Sequence, residues 1–100
     1  MSARSFNINK AKKYGNVRVI HQNKDLIVRL HQTDVVKLSD KLITLNTNGW
    51  HTVTTRTAIN NALQQIGSPI RVFIKQGTMK VQFKNKIVDL VDGMTIALGA

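Results

Sequence analysis

Between Ala58 and Ile66 the apolar residues of this chain recur every three or four positions, and almost nowhere else do they. Ala58, Ile59, Ala62, Leu63 and Ile66 form one stripe, while Asn60, Asn61, Gln64 and Gln65 take the opposite side. That is the pattern of an amphipathic helix with one buried face. Gly67 suits the left-handed residue that closes a helix, and Pro69 prevents the helix from continuing. The spacing predicts one helix over about residues 55–66, with Thr54 or Thr55 as its N-cap. The fold class that follows is α+β: mostly antiparallel β hairpins packed on one amphipathic helix.

The segments on either side read as strands. "NVRVIHQ" and "LIVRLHQ" are separated by Asn23-Lys24-Asp25, and "DVVKL" and "KLITLNT" by Ser39-Asp40, which are turn residues between β-branched runs. After the helix, "IRVFIKQGTMKVQF" folds back on itself at Gln76-Gly77, and a two-residue loop there fixes the register. Ile74 then faces Met79, Val72 faces Val81 and Ile70 faces Phe83 on the core side. Arg71 faces Gln82, Phe73 faces Lys80 and Lys75 faces Thr78 on the other. The last segment, "KIVDLVDGMTIAL", reads as a further hairpin turned at Asp92-Gly93. Residues 1–14 read as a flexible basic arm, and residues 15–100 as a single domain.

Fifteen Lys and Arg stand against five acids, all of them Asp, for a formal net charge of +10. A field of that sign favours a polyanionic partner, with nucleic acid or an acidic protein preferred here over an anionic membrane surface. The chain has no cysteine, which excludes disulfides, thiolate metal sites and cysteine nucleophiles. No apolar run approaches the roughly 20 residues that span a bilayer, so no membrane association is expected and the location expected is cytoplasmic. His21, His31 and His51 lack zinc-site spacing, and no phosphate loop, dinucleotide fingerprint or nucleophile elbow occurs. A non-enzymatic protein without a cofactor or metal is expected.

Two surfaces carry candidate chemistry. The outer face of the 70–83 hairpin sets Phe73 among Arg71, Lys75 and Lys80, the combination of ring and cations that holds single-stranded nucleic acid; packing of Phe73 within the fold is the plainer reading. The second surface is the helix start in "TNGWHTVTTRTAINNAL". Thr52, Thr54, Thr55 and Arg56 surround N–H groups that can hold an anion, yet threonine also serves as cap and strand residue. Arg56 stands out, because the helix dipole disfavours a cation there. Trp50 could stack a base or anchor a partner, but as the one tryptophan of a small domain it is expected in the core.

From Thr33 onwards, "TDVVKLSDKLITLNTNGWHTVTTRTAIN" and the later "DGMTI" resemble a group of small bacteriophage-encoded proteins of unassigned activity. The shared marks are a Thr-Leu-Asn strand end, a Gly-Trp-x-Thr-x-Thr-Thr helix start and an Asp-Gly-Met near the C-terminus. The resemblance implies a phage protein acting in the bacterial cytoplasm, and it matches at Trp50, Thr52, Thr54 and Thr55. Here Asn48 replaces a second glycine, and Thr57 and Ala58 follow Arg56 where basic residues are usual. Three functions are then weighed: an accessory protein binding single-stranded DNA or RNA with little sequence preference; an inhibitor or modulator of a host protein such as a defence nuclease or the transcription machinery; and a homo-oligomer paired through exposed strand edges.

Overall fold

The computed structural model describes residues 17–99; the basic arm read over residues 1–14 lies outside the described residues. Four strands precede the helix, as the turn residues predict: β1 (Val17–Gln22), β2 (Asp25–Leu30), β3 (Thr33–Ser39) and β4 (Leu42–Leu45). The helix α1 (Val53–Gln65) is followed by β5 (Arg71–Lys75), β6 (Thr78–Phe83), β7 (Lys86–Asp89) and β8 (Met94–Ala97). They form a five-stranded antiparallel sheet in the order β1-β2-β3-β4-β8 and a three-stranded antiparallel sheet β5-β6-β7. The α+β class holds, and α1 packs on β5, β3 and β2.

The β5–β6 hairpin has the register its turn predicts, from Arg71 opposite Gln82 to Lys75 opposite Thr78. Gln76 and Gly77 both take positive φ, 53° and 77°, which turns the chain with the twist of the flanking strands. Val72, Met79 and Val81 are buried on the side facing α1. A single core joins these residues to Ile59, Ala62 and Leu63 of the helix and to Val28, Val36, Ile43 and Leu45 of the larger sheet. Burial of such a side chain contributes about 1.5–3 kcal/mol, so the helix is held by its stripe rather than by its own propensity.

One irregularity bears on the site. Val28 pairs with Val36 and Arg29 with Asp34, which leaves Val35 as the extra residue of a β-bulge. Both Val35 and Val36 are therefore buried, although strict alternation would expose one of them.

The C-terminal hairpin expected at Asp92-Gly93 does not form. β7 instead folds back on β6 through Lys84-Asn85, whose φ angles are 50° and 62°, and β8 crosses to pair with β4 in the other sheet. Gly93 keeps its positive φ of 89°, but it redirects the chain between sheets, and its N–H donates to the Leu45 carbonyl at 2.9 Å. Asp92 secures this crossing by accepting from Thr47 N at 2.7 Å, Thr47 Oγ1 at 3.0 Å and Asn48 N at 2.8 Å.

Candidate nucleic-acid interface

The helix begins earlier than its sequence suggests, and this decides where Arg56 sits. Thr52 is the N-cap, in place of Thr54 or Thr55; its hydroxyl accepts the Thr55 N–H at 3.3 Å and lies 3.1 Å from the Thr55 hydroxyl. Thr55 is buried and takes the place that Glu holds in a capping box. The Arg56 N–H reaches the Thr52 carbonyl at 2.9 Å. Arg56 is thus the fourth helical residue, already beyond the unpaired first-turn amides, so the dipole penalty on its charge is small. No strand forms between the Asn48-Gly49 turn and the helix, so the threonines there finish no strand.

The residues of the helix start divide between two hollows. Trp50, Thr52, Thr54 and Thr55 line a cleft of about 620 Å³ with Leu30, His31, Gln32 and Val35, and among the described residues no Asp, Glu, Lys or Arg lines it. Trp50 is 62 % exposed and Val53 59 %, which corrects the expectation of a core tryptophan. The Asn48-Gly49 turn closes with a 3.0 Å bond from Trp50 N to the Thr47 carbonyl, and this holds the indole outside the core. His51 follows it and accepts the Met79 N–H on Nδ1 at 2.8 Å, tying the loop to β6.

Arg56 lies on the other side of the helix. With Thr57, Asn60, Asn61 and Gln64 it lines a groove of about 600 Å³, closed on the far wall by Arg71, Val72 and Phe73 of β5. Arg56, Asn60 and Gln64 are spaced by four and so share one helical face. β5 is an edge strand, and Asn60 occupies its open side: Nδ2 donates to the Val72 carbonyl and Oδ1 accepts the Val72 N–H, both at 2.8 Å. One carboxamide therefore stands in for a neighbouring strand and sets the width of the groove. The Asn61 side chain, 7 % exposed, keeps its Nδ2 buried without an acceptor, an arrangement that costs about 1–3 kcal/mol.

The four residues predicted on the hairpin face are not equivalent. Phe73 is half-buried and on the groove wall. Arg71 lies there too, but its Nη1 donates to the Ser68 and Ile70 carbonyls, each at 2.6 Å, which leaves Nε and Nη2 for a ligand. Lys80 forms an ion pair with Asp89 from β7, so part of its charge is already matched. Lys75 is exposed beside the hairpin turn, outside the groove. The larger sheet matches its charges more fully: Arg29 holds Asp34 through Nε at 2.6 Å, and Lys37 lies 3.6 Å from Asp25. The hydrogen bond to Asp34, and then its charge, raise the Arg29 pKa above the ordinary value.

Sequence reasoning missed Asn60, Asn61 and Gln64, which it read only as a solvated side; their spacing from Arg56 was the available signal. Among the described residues no group of three or more His, Cys, Asp or Glu is placed to hold a metal ion, and no helix is long and apolar enough to cross a membrane. The family model described as Kyanoviridae Gp96 protein matches residues 2–97. No curated protein and no solved structure matches the chain. The family match takes in every element of both sheets and the helix between them, and it supports the expected phage origin. The chain is a phage protein and belongs to the Kyanoviridae Gp96 protein family.

Proposed function

We propose that this protein binds single-stranded nucleic acid in the groove between α1 and β5. The observation that carries the reading is that Phe73, Arg56 and Arg71, from two elements, line one open groove with no carboxylate in its wall among the described residues. An aromatic face stacks an unpaired base, and a guanidinium holds phosphate at short range. Lys75 and the exposed Lys84 and Lys86 extend the positive field along the same hairpins. Thr52 and Thr55 take no part, since their hydroxyls are spent on the helix cap, and Thr54 lines the cleft on the other side of the helix.

The test is a titration of labelled single- and double-stranded DNA and RNA at two salt concentrations. Single strands are expected to bind more tightly than duplex, with an affinity that falls as salt rises. Arg56→Glu is expected to weaken binding at least about tenfold while the fold is retained, in line with the loss of a charge-assisted phosphate contact. Absence of binding at low salt removes the proposal.

A second reading is favoured by one feature, the exposed pair Trp50 and Val53 at the rim of the uncharged cleft. Tryptophans in such positions anchor protein partners, and the net charge of +10 would steer an approach to an acidic host surface. A stoichiometric host protein retained after nuclease treatment, and lost with Trp50→Ala, supports this modulator reading over the first.

A further inference from the structure

The smaller sheet has two edges, and they are treated differently. On β5 the Asn60 carboxamide takes up the Val72 N–H and carbonyl. β7 pairs with β6 alone, and its other side is open among the described residues. The Leu90 N–H donates to the Met79 carbonyl at 3.0 Å. In the alternation of an antiparallel ladder, the N–H and carbonyl of Ile87 and Asp89 therefore point away from β6. Ile87 lies opposite Gln82, on the face away from the core, and is 57 % exposed; Val91 just beyond the strand is 63 % exposed. The other edge strands, β1, β5 and β8, carry no exposed large apolar side chain among the described residues. An unprotected apolar edge is a template for another strand.

We infer that β7 pairs antiparallel with β7 of a second copy of this chain, joining the smaller sheets in the order β5-β6-β7-β7-β6-β5. Charge selects this occupant. Lys84 and Lys86 stand at the start of β7, and Asp89 and Asp92 at and just past its end. Antiparallel pairing sets the basic end of each copy beside the acidic end of the other, so the stretch is complementary to itself. Its charges cancel, on a chain whose net charge is +10, and identical copies can meet along this edge with little of the repulsion that other faces impose. Asp89 pairs with Lys80, yet its side chain is 63 % exposed and open to the second copy's cations. Pairing centred on Val88 lets Ile87 exchange N–H and carbonyl bonds with the second copy's Asp89, and it sets the two Ile87 side chains diagonally across the outer face. The groove beside β5 lies at the far edge of each sheet and stays open. The inference does not depend on what that groove binds.

The experiment is sedimentation velocity of the full-length, nuclease-treated protein over a wide range of concentration. A shift from monomer towards dimer with rising concentration is expected. Ile87→Pro removes an N–H that only the second copy uses, at an edge position that tolerates proline. The fold should persist while dimerisation weakens about tenfold or more, since each dimer loses a pair of hydrogen bonds. Should the proline disturb folding, Ile87→Lys keeps every backbone donor and places a charge on the edge; it too is expected to shift the protein towards monomer. A wild-type protein that stays monomeric at the highest concentration overturns the inference and leaves the edge to a strand of another protein. A dimer that persists undiminished in the variants that fold also overturns it, by placing the contact elsewhere. Neither outcome bears on the oligonucleotide titration, which tests the nucleic-acid reading separately.

Discussion

The cleft at the start of α1 and the groove along its side are nearly equal in volume, about 620 and 600 Å³, and opposite in character. Among the described residues the cleft has threonines, an exposed tryptophan and no full charge, and the groove has two arginines, three carboxamides and a phenylalanine. Both draw on the same short stretch of chain. The difference arises because the cap threonines complete the helix, whereas residues from Arg56 onward project from its side. A helix start rich in hydroxyls is therefore a structural device here, and the chemistry lies a turn further on. The two sheets differ in a parallel but lesser way: on the larger one Arg29 and Lys37 are matched by Asp34 and Asp25 and Arg18 is not, while on the smaller one Lys80 is matched by Asp89 and Lys75 and Lys86 have no acid partner among the described residues.

The comparison can be broken most forcefully at its hinges. Asp92→Ala removes the acceptor of three hydrogen bonds at the edge of the cleft; a loss of about 2–3 kcal/mol in urea unfolding is expected, given the value of bonds to a charged group. Oligonucleotide affinity measured well below the unfolding transition should be unchanged, and a large loss would show the two hollows to be coupled. Asn60→Ala acts on the groove instead. Leaving the Val72 N–H and carbonyl unpartnered should cost about 1–3 kcal/mol, and here affinity should fall with stability because the groove wall is released. Retained affinity in a folded Asn60→Ala protein would place the binding surface elsewhere.

Smaller effects sharpen the contrast. Thr52→Ala deletes the cap and should lower stability by about 1 kcal/mol with no change in binding. Arg56→Glu should do the reverse: stability within about 0.5 kcal/mol of the wild type, since the residue lies beyond the unpaired first-turn amides, while binding collapses. Opposite patterns from two residues four positions apart are hard to obtain unless structure and binding are divided between them. Trp50→Ala should change stability by less than about 0.5 kcal/mol, because its side chain is largely outside the core. A loss of several kcal/mol in thermal or urea unfolding would contradict the exposed placement of the indole.

Local order was readable in the chain. The four strands before the helix, the register around Gln76-Gly77 and the helix stripe all follow from short-range rules, since a two-residue turn and a period of two or 3.6 leave little freedom. The failures share a cause. Lys84-Asn85 is a weak turn signal, because a lysine at positive φ is supported only by its neighbours, so the chain was divided at the stronger Asp92-Gly93 instead. The N-cap slipped from Thr54 or Thr55 to Thr52 because several threonines compete for one role, and burial of Thr55 against the core decides among them. Trp50 was expected inside on size and apolarity alone, yet the turn before it and the His51 bond to Met79 aim the loop outward. Phe73 and Arg71 were recognisable as a pair and Arg56 by itself, but their meeting around one groove with the carboxamides was not, for they lie on different elements.

By itself the sequence determined the α+β class, the single amphipathic helix, the face of the β5–β6 hairpin that is buried, and the strongly basic charge, because each depends on neighbours a few positions away. Tertiary structure alone decided that β7 and β8 part to different sheets, that Lys80 is matched by Asp89 while Arg56 is left unmatched, and that Arg56, Arg71 and Phe73 meet around one groove. Those outcomes join residues up to about 50 positions apart, as in the pairing of Leu45 with Met94. Which distant partners satisfy a strand edge or a charge is settled by how the helix stripe seats between the two sheets, and no local pattern carries that choice.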